Sequence, residues 1–250
     1  MNKYILGASS DIGYQREHQE DFVQYREIDE KTLIAIIADG TGSTKEHIQP
    51  AVMASMSVLE ELTDLHENAL NLFERNPLYF IHRAMKNAND KLGVLKMGSE
   101  ELYSGYACSM TVAYFDKNSK IFIGHAGNTR LYIIRNGILT QITTDHTKAQ
   151  ELLDNGMIDI NTYHIHPDRL ALSSGLGMIL NPQIQTLSCS FKENDIVLMS
   201  TDGVHYAIRQ DAIINIILES ADCLEASKNL ISAARDIVKY PDNVSAIIIR

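Results

Sequence analysis

Acidic residues stand next to apolar runs in four separate parts of this 250-residue sequence. They are Glu20 and Asp21 before Phe22-Val23, Asp39 after residues 33–38, Asp202 after residues 196–200, and Asp242 before residues 244–249. Each Asp-Gly pair alone is typical of a turn. Together, carboxylates at strand ends can converge on one edge of a sheet, where like charges repel unless a cation lies between them. Oxygen ligands without cysteine favour Mg²⁺ or Mn²⁺ over zinc, so the pattern indicates a candidate metal site.

Short apolar runs and helical periodicity predict the elements that would position these carboxylates. Strands are predicted over residues 33–38, 110–115, 121–124, 131–134, 196–200 and 244–249. Helices are predicted over residues 48–62, 78–95, 148–155, 210–220 and 224–238. Asn136-Gly137 is typical of a type I′ hairpin turn, and Gly156 of a helix C-terminus. No repeat, low-complexity tract or linker interrupts this order, so we expect a single domain over residues 1–250.

The composition argues against several functional classes. The sequence has 22 Lys and Arg against 32 Asp and Glu, a net charge of −10 without any basic cluster. This balance argues against nucleic acid or an anionic membrane as a partner. The first apolar stretch is interrupted by Gly7 and is too short for a signal peptide, and no window is long enough to span a membrane. The cysteines Cys108, Cys189 and Cys223 are widely spaced and fit reduced thiols, so the expected location is the cytoplasm.

Seven short motifs occur in an order that resembles the metal-dependent type 2C protein serine/threonine phosphatases, the PPM family. They are Arg16-Glu-His-Gln-Glu-Asp21, Ala38-Asp-Gly-Thr-Gly42, Gly124-His-Ala-Gly-Asn-Thr-Arg130, Thr144-Asp-His-Thr147, Gly175-Leu-Gly177, Ser200-Thr-Asp-Gly203 and Asp242-Asn-Val-Ser245. The resemblance covers nearly the whole sequence, and its compact length is similar to bacterial members. It departs from the family at Gln19, where asparagine is usual, and at Asn128, which replaces the aspartate of the Gly-Asp-Ser-Arg segment.

The resemblance implies a fold, an activity and a partner. The fold would be α+β, a four-layer α/β/β/α sandwich of two antiparallel sheets flanked by helix pairs, which agrees with the predicted order of strands and helices. The activity would be hydrolysis of phosphoserine and phosphothreonine in proteins, by a hydroxide that bridges two Mn²⁺ or Mg²⁺ ions. Such a phosphatase acts in signal transduction, and its partners would be phosphorylated proteins and an opposing serine/threonine kinase.

The resemblance also implies a role for each site residue. Asp39 would bridge the two ions, with the Gly40 carbonyl on one of them, and Asp202 and Asp242 would hold the other. Glu20 and Asp21 would act mainly through metal-bound water. Arg16 would bind the substrate phosphate. Arginine suits this last role because its planar fork can bind two phosphate oxygens at once. No residue is identified as the general acid.

Asn128 leaves alternatives open. Asparagine is neutral, so a third metal ion at this position should be weak or absent, and catalysis could be weakened. The first alternative is therefore a phosphoprotein-binding or regulatory module of the same fold. A second alternative, which does not depend on Asn128, is a phosphatase of small phosphorylated metabolites. The histidines His125, His146, His164 and His166 lack the spacing of a zinc site and are expected to be loop or supporting residues.

Overall fold

Two five-stranded antiparallel sheets form the centre of the computed structural model, which describes residues 4–42, 49–98, 105–237 and 242–250. The strands are β1 (Leu6–Asp11), β2 (Asp21–Asp29), β3 (Thr32–Thr41), β4 (Ala107–Phe115), β5 (Lys120–Ala126), β6 (Arg130–Arg135), β7 (Ile138–Gln141), β8 (Gln185–Ser190), β9 (Ile196–Ser200) and β10 (Val244–Ile249). One sheet has the order β1-β10-β9-β6-β7, and the other has the order β2-β3-β4-β5-β8.

Helices cover the outer face of each sheet. The helices are α1 (Pro50–Phe73), α2 (Pro77–Gly98), α3 (Lys148–Asp154), α4 (Ile160–Ile165), α5 (Asp202–His205), α6 (Gln210–Glu219) and α7 (Cys223–Arg235), with one 3₁₀ turn at Pro167–Arg169. Helices α1 and α2 pack on the β2–β8 sheet, and α6 and α7 pack on the β1–β7 sheet. The predicted four-layer α/β/β/α sandwich is confirmed.

Strand β3 shows why the central strands are apolar along their whole length. Successive side chains of a strand point to opposite faces of the sheet. Ile34, Ile36 and Ala38 therefore join the core under α1 and α2. Leu33, Ala35 and Ile37 join the second core, between the two sheets. Because both faces are buried, the sequence shows an unbroken apolar run over residues 33–38, which stops at Asp39, two residues before the end of the strand.

Several predicted elements have the expected bounds. Strands β9 and β10 span the predicted residues, and Asn136 and Gly137 have φ of 53° and 75°, as a type I′ turn requires. Gly156, with φ of 67°, follows α3 as predicted. Helix α1 runs past the predicted end to Phe73, and its predicted first residue, position 48, lies outside the described residues.

The sequence patterns missed β1, β7, β8 and the short helices α4 and α5, and they noted only the first residues of β2. Strand β1 reads Leu-Gly-Ala-Ser-Ser-Asp, which lacks an apolar run. Its Gly7 lies against α7, where a Cβ atom would meet the Cys223 carbonyl carbon at 2.2 Å. Close approach of helix and strand therefore replaces side-chain packing there.

Among the described residues, no helix is long and apolar enough to cross a membrane.

Candidate metal and phosphate site

A cavity of about 640 Å³ opens where the strand ends of both sheets meet. Most of the predicted site residues line it, namely Arg16, Glu20, Asp39, Gly40, Asn128, Asp202 and Asp242. They come from segments far apart in the sequence, and the fold brings them together as predicted. Asp21 does not line the cavity, because its side chain is buried behind it.

Antiparallel pairing explains this convergence. In an antiparallel pair, the end of one strand lies beside the start of its neighbour. Asp21 at the start of β2 is therefore opposite Asp39 at the end of β3, and the Gly40 N–H donates to the Glu20 carbonyl at 3.0 Å. In the other sheet, β9 runs into Asp202 beside the start of β10, which follows Asp242. Both sheets thus deliver carboxylates to the same edge.

The carboxylates are crowded enough to change their acidity. Burial, together with the charges of Asp202 and Asp242, raises the pKa of Asp21 to about 8, although hydrogen bonds from Ser245 and Thr201 lower it. Burial and then the neighbouring carboxylates raise the pKa of Asp39 well above its usual range. The pKa of Asp202 rises to about 6 for the same two reasons. This donor set fits hard divalent cations, which would offset the repulsion.

The carboxylates also bind neighbouring side chains. Asp242 Oδ1 accepts from Arg16 Nη2 at 2.8 Å, and Asp21 Oδ2 accepts from Thr201 Oγ1 at 2.8 Å. In this structure, no group of three His, Cys, Asp or Glu side chains within the described ranges is arranged to hold a metal ion. A carboxylate has two oxygens, so Asp242 can keep its ion pair with Arg16 and still offer an oxygen to a cation.

Asn243 holds the loop that carries Arg16. Its Nδ2 donates to the carbonyls of Ile12 and His18, at 2.8 and 3.0 Å, and its Oδ1 accepts from the Glu20 N–H at 2.8 Å. The Asn243 side chain is buried, and its three hydrogen bonds hold residues 12–20 next to Asp242. Asn243 belongs to the Asp242-Asn-Val-Ser245 motif, and its role there is visible only in the structure. Nothing in its local pattern predicts partners more than 220 residues away.

Asn128 is fixed by two hydrogen bonds. Its Nδ2 donates to Asp202 Oδ2 at 3.0 Å, and its Oδ1 accepts from Ser109 Oγ at 2.7 Å. The amide group thus faces Asp202 with its donor, and its oxygen already has a partner. A metal ion between these two side chains would meet N–H hydrogens instead of an oxygen ligand.

A buried ion pair lies behind Asn128. Arg130 binds Asp145 through both Nε and Nη2, at 2.6 to 3.1 Å. Tyr206, four residues after Asp202, donates to Asp145 Oδ2 at 3.2 Å, and Arg130 lies over its ring. The positive charge of Arg130 lowers the pKa of Asp202, although burial raises it more. Arg130 and Asp145 belong to two of the seven sequence motifs, but only the structure shows that they form an ion pair.

The four histidines lie apart from the acidic residues of the cavity. His125 and His146 are buried with ring centroids 4.9 Å apart, and neither lines the cavity. His125 hydrogen-bonds with Thr111 and with the Thr144 carbonyl, which holds the hairpin before Asn128 in place. His164 and His166 lie at the end of α4.

Comparisons with known proteins identify the family. The family model described as protein phosphatase 2C matches residues 13–239. Serine/threonine phosphatase stp of Listeria innocua is 25% identical over 241 residues, which cover 96% of this chain and 93% of the relative. Protein phosphatase PhpP of Streptococcus pneumoniae is 22% identical over 231 residues, which cover 92% of this chain and 91% of the relative.

Solved structures share the whole architecture. The serine/threonine phosphatase PstP/Ppp of Mycobacterium tuberculosis superposes with a TM-score of 0.81 at 26% identity, over 98% of this chain and 97% of that one. The catalytic domain of PstP in complex with two manganese ions has a TM-score of 0.76 at 24% identity, over 99% and 98% of the chains. Because the family model spans most of the sequence and the fold agrees, the chain belongs to the protein phosphatase 2C family.

Proposed function

We propose that the protein is a metal-dependent phosphatase that hydrolyses phosphoserine and phosphothreonine in other proteins, as a single catalytic domain. The observation that carries the proposal is one cavity in which Arg16 stands beside Glu20, Asp39, Asp202 and Asp242. A phosphate dianion needs a cationic partner among so many carboxylates, and Arg16 is placed to provide it. Membership of the family and the names of the relatives support the same activity.

The metal site we propose consists of residues that line the cavity, together with the buried Asp21. Asp39 and the Gly40 carbonyl would hold one Mn²⁺ or Mg²⁺, and Asp39, Asp202 and Asp242 the second, with Glu20 and Asp21 acting through water. Two divalent cations bound there would supply a water molecule of lowered pKa and would offset the charge of the phosphate. The buried position of Asp21 fits an indirect role, because its carboxylate is hydrogen-bonded to Thr201 instead of facing the cavity.

Arg16 has two partners in this proposal. In the structure its guanidinium binds Asp242, and about half of its side chain is exposed to solvent. The same guanidinium would bind and orient the phosphate of the substrate when Asp242 binds a cation. Asn243 supports this role, because its hydrogen bonds to Ile12, His18 and Glu20 fix both ends of the loop on which Arg16 lies.

The proposal is tested by hydrolysis of a phosphothreonine peptide with Mn²⁺, with Mg²⁺ and after chelation. We expect hydrolysis that chelation abolishes and either cation restores, and we expect Asp39→Asn to be inactive under all conditions. Activity that survives exhaustive chelation would contradict the metal-dependent mechanism. Hydrolysis of small phosphate esters without the peptide would favour a metabolite phosphatase, and tight peptide binding without hydrolysis would favour a regulatory module. An opposing serine/threonine kinase as partner follows from this activity and is part of the proposal.

A further inference from the structure

The cavity is lined by apolar side chains as well as by charged ones. Leu170, Leu172 and Met178 line it together with the acidic residues and Arg16. Leu170 is 42% exposed and Met178 is 38% exposed, so both offer apolar surface to whatever enters the cavity. We call these three side chains the apolar wall. A phosphate group needs no apolar contact, so the wall has no role in binding the phosphate itself.

The apolar wall belongs to a segment with unusually many exposed apolar side chains. Between residues 157 and 180, the large apolar residues with high exposure are Met157, Ile160, Ile165, Leu170, Met178, Ile179 and Leu180. Contiguous exposed apolar surface on a soluble protein indicates a binding site more often than scattered single residues do. Three positions of this set, 178 to 180, follow one another in the sequence, and the first of them, Met178, lines the cavity.

The backbone under the wall is anchored on both sides. Leu176 exchanges two backbone hydrogen bonds with Cys108 of β4, each 2.9 Å long. The Gly177 N–H donates to Asn89 Oδ1 at 2.8 Å, and Lys96 of α2 donates to the Gly177 carbonyl. Because the backbone beside Met178 is already fixed, a ligand that binds this part of the wall does not have to order it first, and less affinity is lost.

We propose that the apolar wall binds an apolar side chain that neighbours the phosphorylated residue of the substrate, and so selects phosphoproteins with leucine-like residues there. The inference rests on the proposed function. If the phosphate lies at Arg16, the adjacent residues of the substrate must pass through the rest of the same cavity, which Leu170, Leu172 and Met178 line.

Two peptides and two variants test this proposal. One phosphothreonine peptide carries leucine at the two positions on each side of the phosphothreonine, and its twin carries serine there. Leu170→Gln combined with Met178→Gln removes the exposed part of the wall while leaving buried residues unchanged. Met157→Gln is the matched control, because Met157 is 71% exposed in the same segment and does not line the cavity. The quantity measured is the ratio of kcat/KM for the two peptides, with p-nitrophenyl phosphate as a substrate without neighbouring residues.

The wild-type protein should prefer the leucine peptide by about tenfold, which corresponds to about 1.4 kcal/mol. The ratio should fall to about twofold or less in the double variant, and Met157→Gln should keep the wild-type ratio. Equal rates for both peptides, or an unchanged ratio in the double variant, would overturn the role of the wall and leave the phosphatase activity standing. Hydrolysis of p-nitrophenyl phosphate without hydrolysis of either peptide would overturn the protein substrate and this proposal together.

Discussion

Replacing Asp21 with asparagine should stabilise the protein at pH 8 when divalent cations are removed. The Asp21 side chain is only 4% exposed and lies among other carboxylates, so burial raises its pKa to about 8. Asparagine has nearly the same shape, and its Oδ1 can still accept the hydrogen bond that Thr201 donates at 2.8 Å. The substitution therefore removes the cost of a buried charge while keeping the packing.

The magnitude follows from the difference in pKa between the folded and unfolded states. In the unfolded chain the pKa of aspartate is 3.8, and in the folded protein that of Asp21 is about 8. Because the folded pKa is raised, the contribution of this carboxyl group to stability is present below the unfolded pKa and is lost as the pH rises towards 8. At 1.36 kcal/mol per pKa unit, the cost is on the order of 3 kcal/mol at pH 6 and 5 kcal/mol at pH 8. An unpaired asparagine N–H would take back about 1 to 3 kcal/mol at both pH values.

Urea unfolding in the presence of a chelator measures this difference at pH 6, 7 and 8. The free energy of unfolding of Asp21→Asn, relative to the wild type, should grow by about 2 kcal/mol from pH 6 to pH 8. The control is Asp64→Asn, which replaces an exposed carboxylate on α1 and should show no such growth. A constant difference across the pH range would refute the reasoning, because it would mean that Asp21 is not held at a raised pKa. Added Mn²⁺ should reduce the advantage of the variant, since a bound cation offsets the charge of the carboxylate.

Three further predictions concern the cavity. Asp39→Ala should lower Mn²⁺-dependent phosphopeptide hydrolysis by more than about 100-fold and Glu20→Ala by about tenfold. The reason is that a bridging ligand holds both ions, while a ligand that acts through water only orients solvent. The reverse order in steady-state rates would show that the bridging role is misassigned. Arg16→Ala should raise KM for phosphopeptides by about tenfold without weakening Mn²⁺ binding in calorimetric titration, and kinetics equal to the wild type would leave Arg16 with only its ion pair. Asn128→Asp should lower the thermal stability of the chelated protein, because a carboxylate would replace the N–H that faces Asp202. At high Mn²⁺ the same variant should bind more Mn²⁺ per protein and turn over phosphopeptide faster than the wild type. Equal Mn²⁺ stoichiometry and equal rates would contradict this.

The sequence predicted the elements that are buried on both faces. Strands β9 and β10 read as apolar runs because their side chains enter a core on each side of the sheet, and their bounds were predicted to the residue. Strand β1 could not be predicted in this way, because its polar side chains form specific pairs across the fold. Ser9 hydrogen-bonds with Ser227 of α7, and Ser10 with Ser245 of β10, each at 2.8 Å. Such pairs leave no periodic pattern in the sequence.

The candidate site was predictable as a set of residues and not as a set of contacts. Strand-end carboxylates and their order along the sequence indicated which residues would converge, and the cavity contains Asp39, Asp202 and Asp242 as expected. The orientation of Asn128 towards Asp202 could not be inferred, because it depends on Ser109 of a different strand. The separation of Asp21 from the cavity likewise depends on the partner that Thr201 provides.

The hydrogen bond from the Glu20 N–H to Asn243 joins residues 223 positions apart, which has a consequence for synthesis. A ribosome that adds about 5 to 20 residues per second needs on the order of 10 to 45 seconds to cover that distance. During this time the acidic strand ends made first have no Asn243 beside them, and β1 lacks its neighbour β10. A nascent chain stalled before residue 242 would thus expose an unpaired strand edge, which is the kind of surface that chaperones and proteases recognise.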